Sequence, residues 1–288
     1  MDLPQKMSRI TGVICILRVK EYIKNTFVFA PLIFSGKFSD IHAINLSLFT
    51  FLIFCLSSSA SYIVNDIKDL ESDKMHPYKS HSRPLAAKVL SIKEALMVLA
   101  ILYLLIIGAL LIIPQITYLI LAHLGLNLLY SYQLKHKPMI DLLCISMGFV
   151  LRVYAGGAVI GVSVSWLIYL SAFCLALYLV STKRYLEIKI FGKTSRKVLH
   201  QYTPHGLLRF AILSALGALL FYATFVLTEK PNLMLTIPMV SIGLFRFWYI
   251  FDTEKYHESP TMIITKDPII IFTALCWATF CIYLGGLR

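Results

Sequence analysis

The sequence predicts an all-α fold, a multi-pass transmembrane bundle of about nine helices that forms a single integral membrane domain over residues 1–288. Of its 288 residues, 58% are hydrophobic and only 15% are charged, whereas soluble domains carry about 25% charged residues. The mean hydropathy is +0.75. Apolar stretches that approach the roughly 20 helical residues needed to cross a bilayer follow one another along the chain. This pattern excludes an ordinary water-soluble globule and a disordered chain.

Nine apolar segments are predicted as spans, and prolines separate several of them. Turns are expected at Pro114, Pro138, Pro231 and Pro268, because proline cannot continue a helix. The first segment is short and contains Pro31. The predicted spans are 22–36, 42–64, 91–113, 115–134, 140–161, 165–187, 206–228, 232–251 and 268–286.

The connections between these spans alternate between segments rich in Lys and Arg and segments with almost none. The poor side holds only Lys37, Lys230 and Arg288, and Arg152 lies inside the fifth span. By the positive-inside rule the rich side is cytoplasmic. We expect a protein of the cytoplasmic (inner) membrane with its active site toward the cytoplasm. The net charge of +12 is then mainly topological, and no nucleic-acid partner is expected; the sequence leaves a homo-oligomer open.

Small side chains within the spans are predicted to serve packing. The patches Ser57-Ser58-Ser59-Ala60-Ser61 and Gly156-Gly157-Ala158 would allow helices to approach closely. The six cysteines stand singly in apolar runs without a CxxC pair, so we expect buried small hydrophobic side chains rather than a redox or zinc site.

The least lipid-like stretch follows the second span without a Gly or Pro break. If the helix continues through it, Asn65, Asp69 and Asp73 recur every four residues and share one face, with Asp66 beside them. Mg²⁺ prefers one or two carboxylates together with waters and substrate phosphates. This half-built set of oxygen ligands therefore predicts a site for a magnesium-bound diphosphate.

Cationic side chains follow this acidic stretch immediately. Lys79 and Arg83, with His76, would take phosphate oxygens that the metal leaves free. His76 is not expected to bind the metal, since no second His stands at ligand spacing. Two alternatives stay open: a solvated helix end whose acids are neutralised by Lys68 and Lys74, and cations that only mark the cytoplasmic side.

Arg152 lies about three turns inside the fifth span, where an isolated cation costs on the order of 2.5–3.5 kcal/mol. It should face the bundle interior and meet an anion, either a substrate phosphate, a carboxylate of the acidic stretch or a purely structural partner. Asp141 is three turns away and is not expected to pair with it. The other notable polar residues at the cytoplasmic ends of spans are Tyr130, Lys135, Asp141, Lys183, Arg184, Tyr185 and Glu187.

These motifs resemble those of the UbiA prenyltransferase superfamily, whose members bind a diphosphate through Mg²⁺ inside the membrane. The similarity extends over nearly the whole chain, and it is strongest to the polyprenyl-phosphate (decaprenyl-phosphate) phosphoribosyltransferase branch. Arg246, Glu258 and Asp267 loosely resemble the last cytoplasmic connection of the family. The matching motifs are Lys24-Asn25, Asn65-Asp66-x-x-Asp69-x-x-x-Asp73, His76-Pro77-x-Lys79, Arg83-Pro84, Tyr130-Ser131-x-x-Leu134-Lys135 with Asp141, Gly148-Phe149-x-x-Arg152 and Lys183-Arg184-Tyr185-x-Glu187.

The resemblance implies a UbiA-like fold and transfer of 5-phosphoribose from 5-phosphoribosyl 1-diphosphate to a polyprenyl phosphate, with release of diphosphate. Asn65, Asp69 and Asp73 would hold Mg²⁺, and Asp69, Asp73 and Arg152 would be catalytic. The implied substrate-binding residues are Lys24, Asp66, His76, Lys79, Arg83, Tyr130, Lys135, Asp141, Lys183, Arg184 and Glu187.

The sequence departs from the family at the end of the sixth span. Members that use aromatic acceptors carry a second acidic motif there, whereas this chain has Ser181-Thr182-Lys183-Arg184-Tyr185. Two cations in place of carboxylates would suit an additional phosphate. Two alternatives remain: a UbiA-type enzyme that moves a prenyl group to an aromatic acceptor, which predicts two acidic walls, and a transporter or channel, which predicts charges near the midplane.

Overall fold

The computed structural model describes residues 8–76, 78–192, 197–253 and 260–285, and the regular elements in those ranges are all helices. The all-α fold class is confirmed. The α-helices are α1 Arg9–Leu17, α2 Ala30–Ser35, α3 Ile41–Lys68, α4 Leu70–Met75, α5 Lys79–Ser82, α6 Ile92–Ile112, α7 Thr117–Tyr132, α8 Ile140–Val159, α9 Trp166–Phe191, α10 Pro204–Glu229, α11 Thr236–Asp252, α12 Pro260–Lys266 and α13 Pro268–Gly285.

Helical segments lie at all nine predicted positions. Within the described ranges, six helices are long and apolar enough to cross a membrane, namely α3, α6, α8, α9, α10 and α13. The first predicted span differs, because a 3₁₀-helix at Val19–Phe29 leads into the six-residue α2. Pro31 occupies the first turn of α2, where its missing N–H is not needed. The chain is therefore a multi-pass membrane protein, and its first predicted span is irregular.

The chain divides into two compact units. The first unit comprises Met1–Asn25 and Phe51–Lys135, and the second comprises Thr26–Thr50 and His136–Arg288. A single functional domain over the whole chain stays a prediction, and each unit is described by itself below.

Buried polar side chains in the first unit are paired with one another. The Tyr22 hydroxyl lies 2.8 Å from Ser59 Oγ, and Ser57 Oγ lies 2.9 Å from His123 Nδ1. Ser58 Oγ donates to Asn25 Oδ1 at 3.2 Å. The serine patch of α3 therefore provides hydrogen bonds as well as small volume, which satisfies hydroxyl groups that would otherwise be costly to bury.

In the second unit, α9 packs against α8 and α10, and α2 packs against α8. A Cβ built on Gly156 would stand 2.0 Å from the Val28 carbonyl oxygen, and one on Gly157 would stand 2.7 Å from a Val164 methyl carbon. The expected close approach at the glycine pair is confirmed, because no side chain could fit at either position without movement of the backbone or its neighbours.

The six cysteines are free, but only Cys55 and Cys281 are buried; the other four are partly exposed. The prediction of complete burial was wrong for those four. An apolar run indicates that a helix is surrounded by nonpolar groups, but it does not say which of its faces meets protein.

Candidate active site

The acidic stretch continues α3 with one small interruption. α3 ends at Lys68, Asp69 has non-helical backbone angles, and α4 begins at Leu70. The Asp69 N–H still donates to the Asn65 carbonyl at 2.9 Å, and the Asp73 N–H donates to the Asp69 carbonyl at 2.8 Å. Because this four-residue bonding continues across the interruption, Asn65, Asp69 and Asp73 keep the spacing of one helix face. We call residues 65–73 the acidic helix end.

Each aspartate of the acidic helix end contacts cationic side chains. Asp66 contacts Arg18 and also Arg83, whose Nη1 lies 2.5 Å from Asp66 Oδ1. Asp69 contacts Lys135, and Lys135 Nζ lies 3.4 Å from Asn65 Oδ1.

The remaining aspartate is Asp73, whose Oδ1 lies 3.1 Å from Lys79 Nζ. The three aspartates of the acidic helix end thus have four cationic partners, namely Arg18, Arg83, Lys135 and Lys79. These seven side chains carry a net charge of plus one, and the structure brings together predicted site residues from three segments of the first unit.

The burial of these aspartates argues against a merely solvated helix end. Asp66 and Asp73 are each 3% exposed. Lys68 lies over the Tyr132 ring, with its Nζ 4.8 Å from the centroid, and Lys74 pairs with the exposed Glu71. The two lysines that a solvated end would use for neutralisation therefore have other contacts.

The side chains of the acidic helix end fit a magnesium ion that is completed by substrate. Across the described ranges, no three His, Cys, Asp or Glu side chains converge to enclose a metal. Asn65, Asp69 and Asp73 offer the hard oxygen atoms that Mg²⁺ prefers, and this ion is usually held by one or two carboxylates plus phosphates. The buried Asp73 Oδ1 lacks a hydrogen bond despite its lysine neighbour. An oxygen in that state can accept a metal without loss of an existing hydrogen bond.

Three other predicted residues of the first unit are Lys24, His76 and Tyr130. Lys24 pairs with Glu21 one turn earlier. His76 Nδ1 accepts the backbone N–H groups of Tyr78 and Lys79 at 3.2 and 3.4 Å, so this nitrogen shapes the turn. Tyr130 is partly exposed. Pro77 of the same motif and Glu258 lie outside the described residues.

In the second unit, three predicted residues join in one buried network. Arg184 Nε donates to Asp141 Oδ2 at 2.9 Å, and Arg184 Nη1 donates to Glu187 Oε2 at 2.9 Å. The Tyr202 hydroxyl donates to Asp141 Oδ1 at 2.5 Å and accepts the Met139 N–H at 2.6 Å. We call these side chains the Arg184 network.

The Arg184 network gives its arginine a different role from the substrate binding that the sequence predicted. Asp141 is fully buried and Arg184 is 2% exposed. Two carboxylates neutralise the Arg184 guanidinium within the protein, so the geometry gives Arg184 a structural partner set rather than an open face for phosphate. Asp141 and Glu187 therefore serve as the ion-pair partners that fix the position of Arg184.

Arg152 and Lys183 lie on the two helices that frame this network. Arg152 is 7% exposed, as expected for a side chain that faces the protein interior; its Nη1 donates to the Gly148 carbonyl at 2.6 Å, and its guanidinium carbon lies 5.5 Å from the Phe149 ring centroid. Lys183 is partly exposed on α9.

The second unit also contains an apolar cavity of about 500 Å³. Helices α9, α10, α11 and α13 and the segment from Thr26 to Phe34 contribute most of its wall, and Val153 of α8 and Ile264 of α12 complete it. Its polar lining is limited mainly to hydroxyl groups and one indole: Trp277 Nε1 donates to the Tyr222 hydroxyl at 2.9 Å, and that hydroxyl lies 2.6 Å from Thr236 Oγ1. The cavity therefore suits a hydrocarbon chain.

Sequence reasoning overlooked two residues of these clusters, Arg18 and Tyr202. Arg18 counted only as a cytoplasmic positive charge, yet it contacts Asp66. Tyr202 lies outside every motif and still binds Asp141. The one available signal was the position of Arg18 six residues before the Lys24-Asn25 motif; nothing in the sequence marked Tyr202.

Comparisons with known proteins agree with this architecture. Residues 26–265 match the UbiA prenyltransferase family. The decaprenyl-phosphate phosphoribosyltransferase of Corynebacterium glutamicum is 32% identical, over 95% of this chain and 86% of that protein. The decaprenyl-phosphate phosphoribosyltransferase of Mycobacterium tuberculosis is 28% identical, over 93% of this chain and 92% of that protein.

The fold is similar to that of a solved UbiA homolog from Archaeoglobus fulgidus bound to GPP and Mg²⁺. The TM-score is 0.73 at 21% identity, and the match covers 96% of this chain and 99% of that one. The sequence motifs, the helical fold and the extent of these matches agree, and the chain belongs to the UbiA prenyltransferase family.

Proposed function

We propose that the chain transfers 5-phosphoribose from 5-phosphoribosyl 1-diphosphate to a polyprenyl phosphate and releases diphosphate, with Mg²⁺ as cofactor. The observation that carries this proposal is the positive balance around the aspartates of the acidic helix end, where four cations contact three aspartates. A cluster with this composition suits a substrate that brings both a metal-bound diphosphate and further phosphate charge. The full-length similarity to decaprenyl-phosphate phosphoribosyltransferases supports the same substrate class.

Asn65, Asp69 and Asp73 would hold the Mg²⁺ ion, which when bound offsets charge on the departing diphosphate. Lys135 and Lys79 are the current partners of Asp69 and Asp73. Their ammonium groups sit on flexible stems, so they can turn from carboxylate to phosphate oxygens when the metal arrives. The chain's own contribution is thus to orient the diphosphate and to provide positive charge around it.

The acceptor needs little activation by the protein. A lipid phosphate is already an anion, so its oxygen can attack the ribose carbon without a strong general base. In the second unit we assign phosphate binding to Arg152 and Lys183. Arg184, with Asp141 and Glu187, is assigned a positioning role, because its guanidinium is already neutralised by these carboxylates.

The apolar cavity of the second unit is assigned to part of the polyprenyl chain. A hydrocarbon chain gains from leaving water roughly in proportion to its buried area, and the cavity wall is largely aliphatic and aromatic. We place the charged clusters at the cytoplasmic face of the inner membrane, since the Lys- and Arg-rich connections lie on their side of the predicted topology.

A second candidate function is prenyl transfer to an aromatic acceptor. The apolar cavity favours it, since such a cavity would accept the tail of a prenyl diphosphate equally well. The homolog from Archaeoglobus fulgidus was solved with GPP and Mg²⁺. This function, however, predicts a second acidic wall at the end of α9, where the chain has Lys183 and Arg184.

The test uses the purified full-length chain in two parallel assays. One contains 5-phosphoribosyl 1-diphosphate, Mg²⁺ and polyprenyl phosphate; the other contains geranyl diphosphate, Mg²⁺ and an aromatic acid. We expect a phosphoribosylated lipid in the first assay and its loss when EDTA removes the metal. A product in the second assay alone would support the second candidate and refute the first.

A further inference from the structure

One carboxylate oxygen of the acidic helix end serves two arginines. Asp66 Oδ1 contacts Nη2 of Arg18, and it lies 2.5 Å from Nη1 of Arg83. Asp66 is 3% exposed, while the Arg18 and Arg83 side chains are 18% and 23% exposed. Two guanidinium groups are thus held side by side at the edge of a buried carboxylate.

Arg18 caps the C-terminal end of α1, and its side chain contacts one face of α3. Arg18 follows α1 with φ 52° and ψ 48°, in the left-handed region that disfavours residues with a Cβ. Its guanidinium carbon lies 4.3 Å from the Tyr62 ring centroid, and Tyr62 stands one helical turn before Asp66. One face of α3 therefore fixes the Arg18 side chain by a cation–π contact and an ion pair.

A purely structural ion pair would need only one of these arginines. A second guanidinium adds repulsion between like charges in a partly buried place, where charges are weakly screened. The group of three side chains carries a net positive charge of one, and each planar guanidinium retains N–H donors beyond the one on Asp66. The N–H donors of two adjacent planar guanidinium groups match the oxygens of a phosphate group.

We infer that Arg18 and Arg83 together form a phosphate-binding site and that Asp66 is the positioning residue that holds them. This inference rests on the proposed function for the identity of the substrate, since the phosphate can belong to the sugar diphosphate or to the lipid. Asp66 acts through the two arginines and does not bind the metal. Arg18 becomes a substrate-binding residue that the motif comparison did not include.

The first experiment measures steady-state kinetics of the full-length protein and its variants with each phosphate substrate varied in turn. We expect Arg18→Gln to raise KM for one of the two substrates about tenfold or more, as loss of a charge-assisted hydrogen bond predicts. The substrate whose KM rises identifies the source of the phosphate. Asp66→Asn should raise the same KM, and Asp66→Glu should give a KM between those of Asp66→Asn and wild type.

Arg9→Gln is the matched control, since Arg9 is 85% exposed and its nearest carboxylate is Glu94, away from this cluster. An unchanged KM in Arg18→Gln, or an equal rise in Arg9→Gln, would overturn the inference. An unchanged KM in Asp66→Asn together with a rise in Arg18→Gln would overturn the positioning role of Asp66.

The second experiment does not depend on the reaction. Inorganic pyrophosphate is added to the purified protein in EDTA, and the shift in Tm is recorded for wild type, Arg18→Gly and Arg9→Gln. Glycine tolerates the left-handed backbone, so Arg18→Gly should fold. We expect pyrophosphate to stabilise wild type and Arg9→Gln but not Arg18→Gly. An equal shift in Arg18→Gly would refute the phosphate site.

The two experiments separate the failure of this inference from the failure of the proposed function. If the protein has no phosphoribosyltransferase activity but pyrophosphate stabilises only chains with Arg18, the proposed function fails and the phosphate site stands. A lower Tm in Arg18→Gly with an unchanged pyrophosphate shift would show that Arg18 is structural. This result would refute the phosphate site and leave the proposed function untouched.

Discussion

The acidic helix end and the Arg184 network use the same residue types in different ways. In the first, Asp69 and Asp73 each pair with one lysine, and the Asp69 side chain is 25% exposed. In the second, Arg184 meets two carboxylates and is 2% exposed. A lysine pair near solvent can exchange partners at little cost, whereas a buried and fully hydrogen-bonded pair cannot. The two clusters differ in the exposure of the cation, since the Lys79 and Lys135 side chains are 20% and 9% exposed and the Arg184 side chain is 2% exposed.

The largest effect on stability is expected for Arg184→Gln, in the buried network. It removes the guanidinium group that Asp141 and Glu187 both contact, and loss of one partner of a buried pair costs about 3–5 kcal/mol. We expect a clearly lowered free energy of unfolding, measured by denaturant titration in detergent. Lys74→Gln, which removes the partner of the exposed Glu71, is the control and should leave stability unchanged. Equal stability of Arg184→Gln and wild type would contradict the structural role of the Arg184 network.

Asp73→Asn should show the opposite pattern, with lost activity and a smaller loss of stability than Arg184→Gln, because the Lys79 side chain is 20% exposed and can turn to solvent. We expect phosphoribosyl transfer to fall by about 10²–10³-fold, the size of effect seen when one electrostatic group at a reacting centre is removed. The measurement is the initial rate at saturating substrates together with Tm. Glu71→Gln on the same short helix is the matched control and should retain the wild-type rate. A fully active Asp73→Asn would remove the metal assignment.

Tyr202→Phe tests how tightly the Arg184 network is satisfied. Burial raises the pKa of the Tyr202 phenol, and its hydrogen bond to Asp141 raises it further, so the hydroxyl stays protonated at neutral pH. Its removal leaves the Met139 N–H without this acceptor, which should cost about 1–3 kcal/mol. Unfolding in detergent measures this loss. Tyr283→Phe, at an exposed tyrosine, should have no effect; a neutral Tyr202→Phe would mean that water replaces the hydroxyl.

The smallest effect is expected at a third charged pair, Arg246 with Asp267. Arg246 Nε and Nη2 donate to the Asp267 carboxylate at 3.2 and 2.9 Å, and this hydrogen bonding holds the pKa of Asp267 below its ordinary value. The pair therefore stabilises the protein fully above pH about 4 and loses its contribution as the pH falls through the lower pKa of the folded state. The Tm difference between wild type and Arg246→Gln should shrink in acid. A constant difference would show that the pair acts through packing.

The sequence was sufficient for the fold class, for the nine helical positions and for the spacing of Asn65, Asp69 and Asp73. Those features depend on local composition and on helical periodicity. It predicted a regular first span, but Pro31 and the preceding 3₁₀-helix divide that segment into shorter pieces. Short stretches with Pro satisfy a hydropathy pattern without forming a continuous α-helix.

The partners of the charged residues were beyond sequence analysis. Arg18 and Asp66 are 48 residues apart, and Arg184 and Asp141 are 43 residues apart. Lys183 and Arg184 are neighbours in the chain, yet Arg184 is 2% exposed and pairs with two carboxylates, whereas Lys183 is partly exposed. Which of two adjacent cations turns inward depends on the rotation of α9 against its neighbours. Hydrophobic periodicity defines that rotation poorly when a helix is apolar all round.

The contact at Gly156 limits how this protein can diverge over generations. Since a Cβ there would stand 2.0 Å from a backbone oxygen, even alanine would require the carbonyl of Val28 to move. Gly125 has open space around it, and an added methyl group would meet nothing within 4 Å. Lineages descended from a common ancestor should therefore replace Gly125 freely while Gly156 persists, so substitution rates at these two glycines record the packing history of the family.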